Sequence, residues 1–209
     1  MRSYGGQTVE QRRAQRRERL IAAALDLFGT EGYQAVSIEK LCAAAGVSTR
    51  NFYQEFTGRE ELLTAVHGLI TAEAVGAVGT VLSEMEDEPL AKRIGAAVTE
   101  YIRVTAEDPR RAKVAYVEVV GVSHAVEEHR LAWRETWSQL MEAEAQRAMA
   151  RGEASDRDFH LSTVAIMGAV NELVHHWSTR QKGVPLDTVT AELVRLILLL
   201  LAGDVENHS

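Results

Sequence analysis

The sequence predicts an all-α fold, and three observations support that prediction. Apolar residues recur at intervals of three and four, the spacing that places them on one face of a helix. Capping residues, Pro and Gly separate these segments, and no stretch shows the apolar–polar alternation of a strand. The chain has 209 residues, of which 46% are hydrophobic and only three are Pro, so it can form a sizeable helical core. We predict nine helices, three in a domain of residues 1–57 and six in a domain of residues 58–209.

The first helix is predicted to follow a short disordered arm, residues 1–7. Thr8 and Gln11 have the spacing of a capping box, so the helix should run from there to about Gly29. Its second half carries an apolar stripe, whereas its first half is rich in arginine and should face solvent. The stripe consists of Leu20, Ile21, Ala24, Leu27 and Phe28, and the arginines are Arg12, Arg13, Arg16, Arg17 and Arg19.

Residues 37–56 predict two short helices joined by a tight turn. Ser37 can cap the first of them, because its hydroxyl can accept a backbone N–H of the opening turn. Gly46 supplies the left-handed residue that ends this helix, and Ser48 can cap the next one, over about residues 49–56. Two helices around a short turn that contains Gly form a helix-turn-helix, whose second helix lies in the major groove of DNA.

The rest of the chain predicts six further helices. The first of them starts near Thr57 and Gly58, with Glu60 and Glu61 in its first turn, where the helix dipole favours negative charge. Pro or a capping residue precedes most of the others, and Gly follows several of them. Their predicted ranges are 90–106, 109–122, 123–151, 155–182 and 187–202.

The formal net charge of −7 is unevenly distributed along the chain. Residues 1–50 contain eight Lys and Arg against five acidic residues, a charge of +3, which leaves −10 for the remainder. A basic segment beside a helix-turn-helix is typical of a nucleic-acid-binding end on an acidic body. We therefore expect the N-terminal domain, residues 1–57, to bind DNA.

The last two helices are predicted to bind a second copy of the chain. The final helix is apolar almost all round, and such a helix must be buried on more than one side. A partner subunit would cover it, and burial within the chain is the alternative. Its apolar run, residues 196–202, is too short to cross a bilayer, and we predict neither a membrane span nor a secretory signal. The single cysteine, Cys42, fits a reducing cytoplasm.

Residues 16–63 resemble the TetR family of bacterial transcriptional regulators. The motifs that carry the resemblance are the framing segment LIAAALDLFGTEGYQAVSI, the small residues before AGVS, the Phe-Tyr-x-x-Phe of the recognition helix and the acidic pair of the fourth helix. The resemblance implies an all-α homodimeric repressor that dimerises through its last two helices and binds a small-molecule inducer in its body. Three positions depart from the family pattern: Glu55 replaces a His, Arg50 replaces a Gly, and Arg59 replaces a Lys.

The helix-turn-helix carries side chains suited to both bases and phosphates. Arginine pairs with guanine edges, Asn and Gln pair with adenine edges, and hydroxyl groups bind phosphate oxygens. Arg50, Asn51 and Gln54 are therefore expected to read bases, whereas Arg16 and Arg59 should contact the DNA backbone. The predicted DNA-binding residues are Arg12, Arg16, Ser37, Ser48, Thr49, Arg50, Asn51, Tyr53, Gln54 and Arg59.

The body helices carry polar and aromatic residues inside apolar stripes. Asn171 and Glu118 each interrupt an apolar run and need a hydrogen-bond partner. Bundle interiors with a few convergent polar groups are the usual small-ligand sites, although core packing without a ligand is the alternative. The predicted ligand-binding residues are Tyr101, Tyr116, Glu118, Trp133, Trp137, Met167, Asn171 and His175. We find no metal-binding or catalytic motif, and we predict no cofactor.

These features together predict a homodimeric, cytoplasmic transcriptional repressor that binds a near-palindromic DNA operator and is released by a small molecule. One alternative is a DNA-binding regulator without a small-molecule inducer, which acts constitutively or through a protein partner. Another is a helical enzyme with a vestigial head. The arginine-rich first helix and Arg50 argue against a vestigial head, so we predict no enzymatic activity.

Overall fold

The computed structural model describes residues 8–180 and 183–202. The arm predicted over residues 1–7 and the predicted end of the eighth helix at Lys182 lie outside the described residues. Within those ranges the fold contains nine α-helices, one 3₁₀ turn, one π-helix and no β-strand, which confirms the all-α prediction. The elements are α1 (Val9–Glu31), the 3₁₀ turn (Tyr33–Ala35), α2 (Ile38–Ala45), α3 (Thr49–Glu55), α4 (Arg59–Glu84), α5 (Leu90–Ala106), α6 (Pro109–Lys113), the π-helix (Val114–Glu118), α7 (His124–Ala150), α8 (His160–Arg180) and α9 (Leu186–Ala202).

Local capping determines where the first three helices begin. The Thr8 hydroxyl accepts a hydrogen bond from the Gln11 N–H at 3.1 Å, and the Gln11 side chain accepts one from the Thr8 N–H at 2.9 Å. Ser37 and Ser48 cap α2 and α3, each by accepting the backbone N–H three residues further on. Gly46 ends α2 in the left-handed conformation, with φ 62°. All four caps confirm the sequence predictions.

Two body helices differ from their predicted bounds. The segment predicted as one helix over 109–122 is α-helical only as far as Lys113 and continues as a π-helix. The eighth helix begins at His160 rather than at residue 155. The residue before it, Phe159, is buried in the body core, so tertiary packing fixes the connection in a non-helical conformation.

The three-helix head, α1 to α3, shares a hydrophobic core with the body. Its buried residues pack against Leu63, Val66 and Ile70 of α4, against Val114 at the start of the π-helix and against Val119, which follows it. The boundary predicted between the two domains lies just before α4, within this shared core. By length and composition alone α4 could cross a membrane; among the described residues, its buried side chains pack in the cores of the head and the body.

One face of α9 is buried within the chain, while apolar side chains of α8 and α9 remain exposed. The buried face packs in the same core as α5 and α8 and consists of Val189, Leu193, Ile197 and Leu201. Leu161 and Val164 of α8 are 79% and 52% exposed, and Leu199 of α9 is 55% exposed. Burial within the chain therefore covers only part of the apolar surface of the last two helices.

Candidate nucleic-acid interface and ligand cavity

The recognition helix α3 buries aromatic residues on one side and exposes polar residues on the other. Phe52 and Phe56 are buried in the head core, as the sequence predicts. Arg50 is exposed and makes no hydrogen bond or ion pair with any described residue, and Ser37, the cap of α2, is also exposed. The other predicted base- or phosphate-binding residues of this segment are the exposed Ser48, Thr49, Tyr53 and Gln54 and the half-buried Asn51. These donors and acceptors are available to a nucleic acid.

Glu55, at the end of α3, binds arginines from the first half of α1. Its carboxylate is 1% exposed and accepts hydrogen bonds from Arg13 Nε and Arg16 Nη2, each at 3.0 Å. Arg17 donates to the Glu55 carbonyl oxygen at 3.2 Å and lies 4.4 Å from the centre of the Phe56 ring. Burial alone would raise the pKa of Glu55, but the hydrogen bonds from Arg13 and Arg16 outweigh it and hold that pKa below its usual value. This acid therefore fixes the arginines of α1 against α3.

The arginines predicted to bind phosphates are in three different environments. Arg12 is exposed and has no partner among residues 8–180 and 183–202. Arg16 is held by the carboxylate of Glu55 and is only 22% exposed. Arg59 donates from Nη1 to the backbone oxygens of Tyr33, at 3.1 Å, and Val36, at 2.5 Å. Of the three, only Arg12 has a guanidinium that forms no hydrogen bond or ion pair with residues 8–180 and 183–202.

Glu118, predicted to bind the ligand, instead joins the π-helix to the head. Its carboxylate accepts a hydrogen bond from the Tyr33 N–H at 2.7 Å and lies 3.7 Å from Lys113 Nζ. The neighbouring Gly32 has φ 96°, and a Cβ added there would lie 3.4 Å from the same carboxylate. Because the carboxylate is held by the head, Glu118 lies at the junction between head and body and lines neither cavity described below.

An apolar cavity of about 90 Å³ lies inside the body, between α4, α5, α7, α8 and α9. Tyr101, Trp137 and Met167, three of the predicted ligand-binding residues, form part of its wall. Most of the remaining lining consists of aliphatic side chains such as Val78 and Leu193. A space of this composition selects hydrocarbon and excludes polar groups.

A second cavity of about 40 Å³ adjoins the first and has a polar lining. Tyr101, Trp137 and Met167 line both cavities. Three further residues that the sequence predicted, Tyr116, Trp133 and Asn171, line only the second one. The structure thus brings six of the eight predicted ligand-binding residues together around two adjacent cavities. The two that it places elsewhere are Glu118 and His175.

Neutral polar groups form one part of the second cavity. The Tyr116 hydroxyl lies 2.7 Å from the Tyr101 hydroxyl and 2.9 Å from the Thr105 hydroxyl. Burial raises the pKa of Tyr101 to about 12, so this phenol stays protonated. His67 Nδ1 lies 3.1 Å from His129 Nε2, and burial lowers the pKa of His67 to about 3. His67 is therefore uncharged at neutral pH.

Sequence reasoning missed several residues of the second cavity, namely His67, Thr71, Thr105, Arg130 and Arg134. Helical spacing could have found two of them. Arg130 and Arg134 lie four residues apart on α7, and Trp133 and Trp137 lie beside them at intervals of three and four. His67 and Thr105 come from other helices, and a single sequence holds no local signal that places them here.

Comparison with known sequences identifies the family. Residues 20–66 match the model of the bacterial regulatory proteins of the tetR family, and residues 87–201 match that of the tetracyclin repressor-like C-terminal domain. The second match alone covers more than half of the chain. This chain belongs to the TetR family. A search of curated protein sequences gave no match. The helix-turn-helix of this TetR-family protein is that of a transcriptional regulator.

Solved structures of bacterial regulators share the fold over most of this chain. The fatty acid degradation regulator FadR from Bacillus halodurans has a TM-score of 0.76 at 19% identity, over 88% of this chain and 94% of that one. FadR from Bacillus subtilis, in complex with stearoyl-CoA, has a TM-score of 0.75 at 16% identity, over 89% and 98%. A putative TetR-family regulator from Syntrophomonas wolfei has a TM-score of 0.79 at 16% identity, over 94% and 99%.

Proposed function

We propose that this protein is a homodimeric, cytoplasmic repressor that binds a near-palindromic DNA operator and is released by a small molecule in its body. The observation that carries the proposal is the combination, in one chain, of an outward-facing polar recognition helix and an apolar cavity in the body. Recognition helices of a dimer enter successive major grooves, so the two half-sites lie about one helical turn apart.

The proposed DNA contacts divide into base and phosphate contacts. Arg50, Asn51 and Gln54 read base edges, and Arg50 supplies the bidentate fork that suits guanine O6 and N7. Ser48, Thr49 and Tyr53 bind phosphates, together with the backbone N–H groups at the start of α3. Arg12 adds a free cation from α1, whereas Arg16 and Arg59 act by holding the head together.

The proposed dimer interface uses the exposed apolar side chains of α8 and α9. Leu161, Val164 and Leu199 are each more than half exposed in the single chain. A two-fold axis beside these helices would place the same patch of both subunits in contact and remove it from water. A dimer of this kind fixes the distance between the two recognition helices.

The proposed inducer carries a long hydrocarbon chain, and the first cavity has to widen to hold it, because about 90 Å³ is less than the volume of such a chain. The apolar lining of this cavity supports the ligand class, because a hydrocarbon wall cannot satisfy the hydrogen bonds of a polar ligand. The likeness of the fold to Bacillus subtilis FadR, whose structure contains stearoyl-CoA, is consistent with it. A long-chain acyl compound is therefore the inducer class to test first.

The release mechanism that we propose passes through the π-helix. Tyr116 lines the second cavity, and Glu118, two residues further on, accepts the Tyr33 N–H in the head. A ligand that displaces the Tyr116 hydroxyl would move both ends of the π-helix. The α6 helix is packed so tightly on α1 that a Cβ added to Gly29 would lie 2.4 Å from the Cβ of Arg110, so a shift of α6 would carry α1 with it. The ligand acts by favouring the shifted state, since equal affinity for both states would change nothing.

Selection of bound DNA from a random pool, followed by fluorescence anisotropy with a panel of acyl compounds, tests this function. We expect an inverted repeat to be selected, a dimer to bind it, and at least one long-chain compound to release it. The cavity-filling variant Ala97→Leu should bind the same DNA but respond less to the compound, because Ala97 lines the apolar cavity. Tight DNA binding that no hydrophobic compound weakens would instead support a regulator without a small-molecule inducer.

A further inference from the structure

The second cavity has a marked positive charge, and this charge indicates the class of ligand that it binds. Two arginines of α7, Arg130 and Arg134, line it, and no acidic residue does. Arg130 pairs with Glu127, whose side chain is not part of the lining. Arg134 makes no ion pair or hydrogen bond with any residue in the described part of the chain. Its positive charge has no counterion among the described residues.

The other polar groups of this cavity leave that charge uncompensated. The lining histidine, His67, is neutral, and so are the hydroxyls of Tyr101 and Tyr116. The indole N–H of Trp133 is a further donor that binds no acceptor among residues 8–180 and 183–202. A small, partly enclosed space with an unpaired guanidinium and a free N–H donor is a binding site for an anion.

The two cavities are adjacent, because three side chains line both of them. Tyr101, Trp137 and Met167 lie where the hydrocarbon-lined space meets the arginine-lined space. We propose that the ligand is an amphipathic anion, with its hydrocarbon chain in the first cavity and a carboxylate or phosphate end group bound by Arg134 in the second. This inference rests on the proposed function and adds to it the charge of the end group.

The position of the proposed anion site also connects it to the elements that reach the head. His67 and Thr71 of α4 and Tyr116 of the π-helix line the same cavity as Arg134. The fourth helix begins in the shared core of head and body, and the π-helix ends at the Glu118–Tyr33 hydrogen bond. An anionic end group therefore contacts the two elements that pass from the body to the DNA-binding head, whereas the hydrocarbon chain contacts mainly the body.

Four compounds with the same chain separate the contribution of the end group from that of the hydrocarbon. Binding of dodecanoate, dodecyl phosphate, 1-dodecanol and dodecylamine to the full-length protein would be measured by calorimetry at pH 8, below the concentration at which micelles form. We expect both anions to bind roughly tenfold or more tightly than the alcohol, because charge-assisted hydrogen bonds are about twice as strong as neutral ones. The amine should bind most weakly. A preference shared by carboxylate and phosphate indicates recognition of charge, whereas a preference for one of them identifies the natural end group.

The variant Arg134→Gln should remove the preference for anions and leave the affinity for 1-dodecanol within about twofold of the wild-type value. The matched control is Arg180→Gln, which removes the same charge from an exposed residue that lines neither cavity. Equal affinities of wild-type protein for alcohol and anions, or an unchanged preference in Arg134→Gln, would overturn the inference and leave the proposed hydrocarbon ligand intact. Binding of none of the four compounds would overturn the hydrocarbon ligand and this inference together.

Discussion

Replacement of Glu55 by Gln should weaken the DNA-binding head by a measurable amount. The buried carboxylate accepts one hydrogen bond from Arg16, which is 22% exposed, and one from Arg13, which is 64% exposed. A hydrogen bond to a charged group contributes about 1.5–3 kcal/mol, and this value applies to the bond from Arg16. The bond from the exposed Arg13 is screened by solvent and contributes about 0.2–1 kcal/mol. We therefore expect a loss of about 2–4 kcal/mol in the free energy of unfolding, or about 4–16 °C in Tm for a chain of this size.

The assay is urea and thermal unfolding of Glu55→Gln beside Glu18→Gln, an exposed acid of α1 with the same formal charge change. The free energy of unfolding of Glu18→Gln should lie within about 0.5 kcal/mol of the wild-type value. Because the folded-state pKa of Glu55 lies below its unfolded value, its contribution is complete above about pH 4.3 and is lost as the pH falls through the folded value. The difference in the free energy of unfolding between wild type and Glu55→Gln should therefore become smaller in acid. Equal stability of the two Gln variants at pH 7 would refute the structural role given to this carboxylate.

Three further substitutions test other parts of the structure. Arg50→Ala should relax base preference at one operator position per half-site, by about 1–3 kcal/mol of discrimination, as measured by selection of bound sequences. Gly32→Ala should lower the free energy of unfolding by about 1–3 kcal/mol, because φ is 96° at this position. The control is Gly76→Ala, at an open position of α4, which should raise the free energy of unfolding by about 1 kcal/mol. The buried Arg93 donates from Nε to the buried Glu144 at 2.6 Å, and Arg147 lies 3.9 Å from the other oxygen of that carboxylate. Arg93→Met should cost about 3–5 kcal/mol in urea unfolding, since it leaves Glu144 with only this longer contact, and Arg93→Met/Glu144→Met should recover most of the loss.

Local sequence signals predicted the DNA-binding head well. Thr8, Ser37 and Ser48 cap helices through bonds to residues three positions away, and the exposed side of α3 follows from the spacing of Phe52 and Phe56. Information of this kind is contained within a few neighbouring residues, so one sequence reveals it.

Contacts between residues far apart in the sequence explain what was missed. Glu118 lies in an apolar run, which suggests a pocket residue, but its partner is the Tyr33 N–H, 85 positions away. The predicted single helix over 109–122 likewise gives way to a π-helix that reaches this contact. Arg16, predicted to contact the DNA backbone, also binds Glu55, 39 positions away. Contacts between residues so far apart leave no periodic pattern in the local sequence, so one sequence does not reveal them.

The central claim is that DNA and an amphipathic anion bind different sites of one molecule and oppose each other. Calorimetric titration of dodecanoate into free protein and into protein saturated with its selected operator tests this claim most directly. Thermodynamic linkage requires the operator to weaken dodecanoate binding by the same factor by which dodecanoate weakens operator binding, typically about 5–150-fold. The account predicts equal factors in that range. Identical dodecanoate affinities with and without the operator would contradict it.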